Sequence, residues 1–93
     1  MKKLYVLPSF ERAVKKLTPR QKDELAKGLE DFNRYMGTGV EPAGFGLRKI
    51  SPHNYEFRLD IRLRVIIRVD KEAYYLVLVG DHNEVLRYLR EYR

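Results

Sequence analysis

The chain contains no cysteine and only two histidines, and these scarcities exclude several classes of protein. Without cysteine there can be no disulfide scaffold, thiolate zinc site, thioredoxin-type chemistry or cysteine nucleophile. Two histidines alone do not make a credible metal site, and neither a glycine-rich phosphate loop nor a serine–histidine–aspartate order is present. We therefore expect no metal and no cofactor.

Long apolar runs are also missing. No segment approaches the roughly 20 residues that a membrane span needs, and the apolar stretch at 4–7 is too short for a signal peptide. We expect a cytoplasmic protein with no membrane partner. A length of 93 residues, 44% of them hydrophobic, fits one compact domain over residues 1–93 and excludes a two-domain enzyme.

Acidic residues are outnumbered. Nineteen lysines and arginines face thirteen aspartates and glutamates, which gives a net charge of +6. Such an excess indicates a polyanionic partner or an acidic protein partner, and charge alone leaves both open.

The beginning of the chain is typical of a short strand followed by a helix. The apolar residues 4–7 predict a strand that stops at Pro8. Ser9 is the expected N-cap of a first helix, and apolar residues recur at helical spacing as far as Leu17. The opposite side of this helix carries charged residues, as a solvated face does.

A second helix is predicted directly after the first. Thr18 and Gln21 have the spacing of a capping box, and Pro19 suits the first helical position. Gly37 is placed to end the helix in a left-handed conformation. Because the connection between the two helices is short, we expect a helix hairpin.

The second half of the chain changes to the alternating pattern of strands. A glycine-rich connection covers 37–46, and the residues beyond it alternate between apolar and ionic. This pattern predicts strands at 47–50, 55–60, 62–69 and 73–79, and a terminal helix at 84–92 with Val85, Leu86 and Leu89 inward. The expected fold is α+β: an N-terminal strand, a helix hairpin, an antiparallel meander of three or four strands and a short C-terminal helix, with the helices on one sheet face.

Arginines on the predicted strands form the first candidate site. If the hairpin covers the apolar strand faces, then Arg58, Arg64 and Arg68 project together from the opposite face. The planar guanidinium group binds phosphate in two-point contact and stays charged. The alternative is cross-strand pairing with Glu56 and Asp60, which would neutralise part of this surface. The pattern leaves both interpretations open.

The second candidate lies where the last strand meets the terminal helix, in the segment 79–85. The ordinary pKa of histidine is about 6.5, so this residue type at position 82 could donate or accept a proton near neutral pH. A lone histidine in this position could equally be a polar helix cap. His53 falls in a turn and is expected to be exposed.

The chain resembles the RelE/ParE superfamily of toxins from type II toxin–antitoxin systems over essentially its whole length. Three segments carry the resemblance: Leu47-Arg48-Lys49-Ile50, then Tyr55-Glu56-Phe57-Arg58-Leu59 followed by Leu63-Arg64-Val65-Ile66, and Val79-Gly80-Asp81-His82-Asn83-Glu84-Val85 before a terminal helix. Their order and spacing, together with the order of the elements, match the superfamily.

The resemblance implies a toxin that a cognate antitoxin holds inactive by wrapping its basic surface. RelE-like members enter the ribosomal A site and cut mRNA there. The ribose 2′-hydroxyl is the nucleophile, and the products are a cyclic phosphate and a 5′-hydroxyl, with no metal required. The expected partners are therefore the antitoxin, the ribosome and mRNA.

The resemblance also suggests roles for individual residues. Arg64 matches the phosphate-binding arginine of the family, Arg58 matches a basic strand residue, and His82 lies where members use arginine or histidine to protonate the leaving oxygen. Glu56 stands in the place of a lysine and could be a general base or an ion-pair partner of Arg58. The predicted RNA-binding residues are Arg48, Lys49, Arg62, Arg68 and Tyr88.

One further departure concerns the terminal helix. Leu86 takes the approximate place of a catalytic tyrosine, which Tyr88 or Tyr92 could replace. Two alternatives to a ribonuclease follow from the resemblance: a ParE-like inhibitor of DNA gyrase, and an inactive homologue that serves with its antitoxin as a co-repressor.

Overall fold

The computed structural model describes residues 3–91. The sheet consists of β1 (Lys3–Val6), β2 (Arg48–Lys49), β3 (Asn54–Arg58), β4 (Arg64–Val69) and β5 (Ala73–Gly80). The helices are α1 (Pro8–Lys15), α2 (Pro19–Thr38) and α3 (His82–Glu91). Within residues 3–91, no helix is both long enough and apolar enough to cross a membrane.

All five strands belong to one mixed sheet with the order β1-β5-β4-β3-β2. The strands β2 to β5 form the predicted antiparallel meander, whereas β1 pairs in parallel with β5 at the edge. A five-stranded sheet with three helices in this order confirms the predicted α+β class.

The start of α1 differs from the prediction that Ser9 is its N-cap. The N-cap is Leu7 and the helix begins at Pro8, two residues earlier than predicted; proline suits the first helical position because it has no N–H to satisfy. The Ser9 hydroxyl donates instead to the Val77 carbonyl oxygen at 2.6 Å. Ser9 therefore attaches α1 to β5.

The predicted capping box at the start of α2 is confirmed. The backbone N–H of Gln21 donates to the Thr18 hydroxyl at 3.1 Å, and the backbone N–H of Thr18 donates to the Gln21 side chain at 2.9 Å. The predicted end at Gly37 is wrong, because α2 continues to Thr38. Gly39 ends it with a φ of 76°, and its N–H donates to the Tyr35 carbonyl oxygen at 2.7 Å.

The main core lies between the helix hairpin and one face of the sheet, which we call the hairpin face. Phe57, Val65 and Ile67 point from the strands toward the hairpin and are at most 1% exposed. Phe57 stacks on Phe45 with ring centroids 4.4 Å apart and on Phe32 at 5.7 Å. This aromatic stack holds the connection after α2 against the sheet.

The prediction that all helices lie on one sheet face is wrong. Val85 of α3 packs with Ile66, which alternates with Ile67 along β4 and therefore points away from the hairpin. Leu89 joins this second cluster, but Leu86, also predicted to point inward, is 42% exposed. Positions 85 and 89 are four residues apart and lie one above the other on the side of α3 that contacts the sheet, whereas position 86 lies at the edge of that side.

Candidate functional site

Strand pairing places four arginines on the sheet face opposite the hairpin. Arg58 of β3 is paired with Arg64 of β4, and Arg68 is paired with Asn54. Residues paired across antiparallel strands point to the same face, and positions two apart on one strand do so as well. Arg48 of β2, paired with Glu56, joins the same set. We call this surface the arginine face; its residues are Arg48, Glu56, Arg58, Arg64 and Arg68.

Glu56 is the buried anion of the arginine face, with only 3% of its surface exposed. Its Oε1 accepts a hydrogen bond from Arg48 Nε at 2.7 Å and lies 3.5 Å from Arg64 Nη1. Of the two interpretations left open by the sequence, ion pairing therefore holds for Glu56. The predicted partner Arg58 is wrong, because the carboxylate lies between Arg48 and Arg64.

Asp60 does not neutralise the arginine face. Its Oδ1 accepts hydrogen bonds from the backbone N–H groups of Arg62 and Leu63, both at 2.7 Å, and so closes the turn between β3 and β4. On the strands β2 to β5, four arginines thus share this face with one carboxylate, that of Glu56. Arg58 and Arg68 are exposed, the Arg48 side chain is 65% exposed, and Arg64 is 18% exposed.

The first turn of α3 holds His82 at one end of the arginine face. Gly80, the last residue of β5, is paired with Arg64, and His82 is the first residue of the helix two positions later. Asp81 Oδ1 accepts from the Glu84 N–H at 2.9 Å, and Glu84 Oε1 accepts from the Asp81 N–H at 3.1 Å.

This second capping box excludes the interpretation of His82 as the helix cap, because Asp81 has that role and the His82 side chain is exposed. A Cβ atom on Gly80 would lie 3.0 Å from the Glu84 side chain. Glycine therefore allows Glu84 to fold back against the strand. The spacing Asp-x-x-Glu, present in the sequence, was the signal that could have predicted this cap.

Three other predicted RNA-binding residues do not cluster with Arg58 and Arg64. Lys49 is paired with Tyr55, whose partner Ile67 faces the hairpin, so Lys49 lies on the face opposite Arg48. Arg62 lies in the turn between β3 and β4. Tyr88 of α3 is half-buried near the opposite end of β4, and Tyr92 lies outside the described residues.

An open cleft of about 980 Å³ lies at that opposite end of the arginine face. One wall comes from the last turns of α3 with Tyr88, and the other comes from β4 with Arg68 and from the turn that carries the exposed His53. Asn54 also lines the cleft. Its Nδ2 donates to Ser51 Oγ at 2.8 Å, whereas its Oδ1 is buried without a hydrogen-bond partner among the described residues. The periodicity of the sequence does not indicate this cleft.

A pair of carboxyl groups lies on the hairpin side of the molecule. A hydrogen bond with Asp60 is the main cause that raises the pKa of Glu24 above its ordinary value of 4.5. For Asp60, partial burial favours a higher pKa, but the hydrogen bonds from Glu24 and from the turn backbone lower the pKa below its ordinary value of 3.8. The two groups therefore share one proton more readily than isolated carboxyl groups would.

Within residues 3–91 there is no group of three or more histidine, aspartate or glutamate side chains that could hold a metal ion.

The fold is that of known toxins. A crystal structure of the DinJ–YafQ complex of E. coli contains a chain that matches with a TM-score of 0.73 and 14% identity, over 91% of this chain and 98% of that one. A RelB–RelE antitoxin–toxin complex from Methanococcus jannaschii matches with a TM-score of 0.67 and 12% identity, over 90% and 96%. The YoeB dimer from Staphylococcus aureus matches with a TM-score of 0.65 and 14% identity, over 87% and 97%.

Neither a protein-family profile nor a curated protein sequence matches the chain. The likeness therefore lies in the arrangement of the elements, and it extends over almost the full length of the matched chains. It confirms the RelE-like fold that the order of the sequence segments predicts.

Proposed function

We propose, on the premise of this shared RelE-like fold, that the protein is the toxin of a type II toxin–antitoxin system and cuts mRNA on the ribosome. The observation that carries the proposal is the direct pairing of Arg58 with Arg64 on a sheet face that the helix hairpin leaves uncovered. The pairing places the two arginines opposite each other on adjacent strands, and Glu56 orients the guanidinium group of Arg64. Guanidinium groups that extend from such positions are suited to bind a phosphodiester group.

The proposed reaction is attack of a ribose 2′-oxygen, whose proton passes to water, on the neighbouring phosphorus atom. The bond from phosphorus to the 5′-oxygen breaks, which leaves a 2′,3′-cyclic phosphate and a 5′-hydroxyl. Negative charge accumulates on the phosphate oxygens in the transition state, and fixed cations stabilise it there more than in the ground state. Arg64 and Arg58 supply these cations.

His82 supplies a proton in this proposal. It is exposed at the first residue of α3, two positions after the residue paired with Arg64. An imidazole group can carry and release a proton near neutral pH, so His82 is suited to protonate the departing 5′-oxygen. The capping box of Asp81 and Glu84 fixes the backbone from which His82 projects.

Glu56 acts as a positioning residue in this account. Its carboxylate is buried and binds the guanidinium groups of Arg48 and Arg64. The oxygen atom that a general base would use, Oε1, is therefore already engaged by two guanidinium groups. Holding Arg64 in one orientation also lowers the entropic cost of binding the transition state.

The proposed regulator is a cognate antitoxin. Two of the matched structures are complexes, DinJ with YafQ and RelB with RelE. The net charge of +6 and the four arginines on one face favour an acidic partner segment that covers this surface. The same surface would otherwise meet the phosphates of mRNA in the cytoplasm.

Inhibition of DNA gyrase is the second candidate function. Leu86 is 42% exposed in the approximate place of the family's catalytic tyrosine, and an exposed leucine suits contact with a protein better than proton transfer. A gyrase inhibitor would not need the pair of Arg58 and Arg64 for chemistry. The two functions therefore differ in their dependence on this pair.

Induced expression in a bacterial host tests the proposal. The ribonuclease function predicts growth arrest and fragmented messages without induction of a DNA-damage reporter. Arg64→Ala should relieve both effects while the purified variant keeps the circular dichroism spectrum of the parent. Growth arrest with intact messages and an induced reporter would support gyrase inhibition instead, and the absence of any arrest would support an inactive homologue.

A further inference from the structure

We propose that β1 is an interface between two copies of this chain, whose β1 strands pair in antiparallel order around a two-fold axis at Tyr5. The inference goes beyond the proposed ribonuclease function and does not depend on it. It begins from the two edge strands of the sheet, β1 and β2. Edge strands carry unpaired backbone groups, and proteins normally protect such edges by keeping them short or charged.

The two edges of this sheet differ in protection. The strand β2 has only two residues, Arg48 and Lys49, and both are charged. The strand β1 has four residues, of which Leu4 is 51% exposed, Tyr5 45% and Val6 48%. The other large exposed hydrophobic residues within 3–91 stand singly in the sequence. Three consecutive ones on an unprotected edge indicate an interaction surface.

The backbone of β1 determines which groups a partner can bind. The N–H groups of Lys3 and Leu7 donate to carbonyl oxygens on the side of β5, at 3.2 and 3.0 Å. Backbone groups of successive residues in a strand point to opposite sides. The N–H and C=O groups of Leu4 and Val6 therefore point away from the sheet. We call these groups of Leu4 and Val6 the free edge.

The free edge is complementary to itself. A two-fold axis at Tyr5 places Leu4 of one copy opposite Val6 of the other copy. Residues directly opposite in an antiparallel pair alternate between exchanging both backbone hydrogen bonds and exchanging none. Leu4 and Val6 exchange theirs, so every group of the free edge finds a partner. Tyr5 then lies opposite Tyr5 of the second copy in a pair without hydrogen bonds, where antiparallel strands are closest.

The side chains of β1 support the same axis. Tyr5 stacks on Tyr75 with ring centroids 5.5 Å apart, on the sheet face that carries α3. The stacked pairs of the two copies meet across the axis, and aromatic cross-strand pairs stabilise a sheet. Leu4 and Val6 alternate with Tyr5 and point to the hairpin face, where Leu4 of each copy contacts Val6 of the other.

Charge favours a second copy over an acidic partner as the occupant of this edge. Leu4, Tyr5 and Val6 are uncharged, so the centre of the edge offers no cation to an acidic segment. Lys3 lies opposite Leu7 under the two-fold axis. The two copies of Lys3 are therefore four residues apart, about 13 Å along the strands. Their repulsion is largely screened, because the Debye length is about 8 Å at physiological salt.

The pairing closes on itself. Both copies use β1, and the remaining edge of each sheet, β2, is protected, so the product is a dimer and not a filament. A stable interface usually buries about 800 Å² per partner, and a four-residue edge buries less. We therefore expect a weak dimer that is half formed at about 0.1 mM. Because β5 separates β1 from β4, the pair of Arg58 and Arg64 stays accessible in the dimer.

Sedimentation equilibrium of the purified protein tests the inference over concentrations from about 10 μM to about 1 mM, which bracket a weak interface. We expect the average mass to rise from that of the monomer toward that of the dimer. Val6→Lys should weaken the association at least about tenfold, because it places a lysine within the interface. Val40→Lys, the same change at an exposed valine in the connection after α2, is the matched control and should associate as the parent does.

A disulfide test locates the axis. The chain has no cysteine, so Tyr5→Cys introduces a single thiol, and any disulfide must join two molecules. Opposite residues in a pair without hydrogen bonds have Cα atoms about 4.5 Å apart, which a disulfide can span. Tyr5→Cys should therefore cross-link under mild oxidation. Leu4→Cys, displaced by two residues from its counterpart, and Val40→Cys should cross-link at least about tenfold more slowly.

A parent protein that stays monomeric at about 1 mM would overturn the inference. Tyr5→Cys that cross-links no faster than Val40→Cys would overturn it as well, and this test stays decisive if Val6→Lys does not fold. Amide hydrogen exchange identifies the occupant, because the N–H groups of Leu4 and Val6 should become protected as the protein concentration rises. Protection of these groups only in a complex with a co-expressed antitoxin would assign the edge to the antitoxin and contradict self-association.

Discussion

The carboxylate of Glu56 lies 3.5 Å from the guanidinium group of Arg64, and both side chains are largely buried at the centre of the arginine face. Arg48 Nε, from β2, donates a hydrogen bond to Oε1 of the same carboxylate at 2.7 Å. The arginine proposed to bind the reacting phosphate is thus already fixed by an anion before RNA arrives. In this arrangement the carboxylate of Glu56 positions the side chain, and the guanidinium group of Arg64 is the charge proposed to contact the phosphate.

Glu56→Gln should destabilise the protein by about 1.5 kcal/mol, because the largely buried Arg64 loses a charged hydrogen-bond partner. This value is the lower end of the range for hydrogen bonds to charged groups, since the other partner, Arg48, is largely exposed and can bind water instead. Urea unfolding followed by circular dichroism measures this difference. Glu30→Gln, at an exposed position of α2, is the control, and a loss no larger than in that control would contradict the positioning role.

Arg64→Ala and Arg58→Ala should each lower the rate of mRNA cleavage about 10²- to 10³-fold, as expected for the loss of one fixed charge at the transition state. Arg64→Lys should restore little, because an ammonium group does not make the two-point contact of a guanidinium group. Single-turnover rates on translated message provide the measurement. Arg34→Ala, which removes an exposed arginine from the other side of the molecule, should leave the rate unchanged.

The two capping boxes allow stability and activity to be separated. Asp81→Ala and Thr18→Ala should each cost about 1 kcal/mol of folding free energy, because each removes an N-cap side chain. Only Asp81→Ala should also slow cleavage, since His82 is the next residue. Chemical unfolding and cleavage rates measured on both variants check this, and equal rates would remove His82 from the proposed mechanism.

Glu24→Gln should raise the melting temperature near pH 7, and the gain should disappear below the ordinary glutamate pKa of 4.5. Folding raises the pKa of Glu24, so its stabilising contribution is present at low pH and is lost as the pH rises through the folded value. Glutamine stays neutral at every pH and can still donate to Asp60, whose lowered pKa favours its charged form.

Thermal scans of parent and variant at the two pH values measure this effect. Glu30→Gln should show no comparable dependence on pH, because Glu30 is exposed on the same helix. A gain for Glu24→Gln that persists or grows at acid pH would contradict the shared proton.

Local patterns predicted much of this fold. The capping box at Thr18 and the alternation along β3 and β4 are short-range signals, and both correspond to the structure. The alternation also placed Arg58, Arg64 and Arg68 on one face, because strand geometry alone decides which side chains share a face.

These local patterns could not predict contacts between segments that lie far apart in the sequence. The choice of Arg48 and Arg64 over Arg58 as partners of Glu56 depends on the register of three strands. The position of α3 on the opposite sheet face depends on Ile66 and on Val77 of β5, which pack with Val85.

The most direct test of the central claim is to map mRNA 5′ ends by primer extension after the purified protein is added to a cell-free translation reaction. The account predicts cuts with 5′-hydroxyl ends on translated message, no cuts on the same RNA without ribosomes, and their loss in Arg64→Ala and His82→Ala. Intact message at protein concentrations where a known RelE-like toxin cuts, or cuts that persist in both variants, would contradict it.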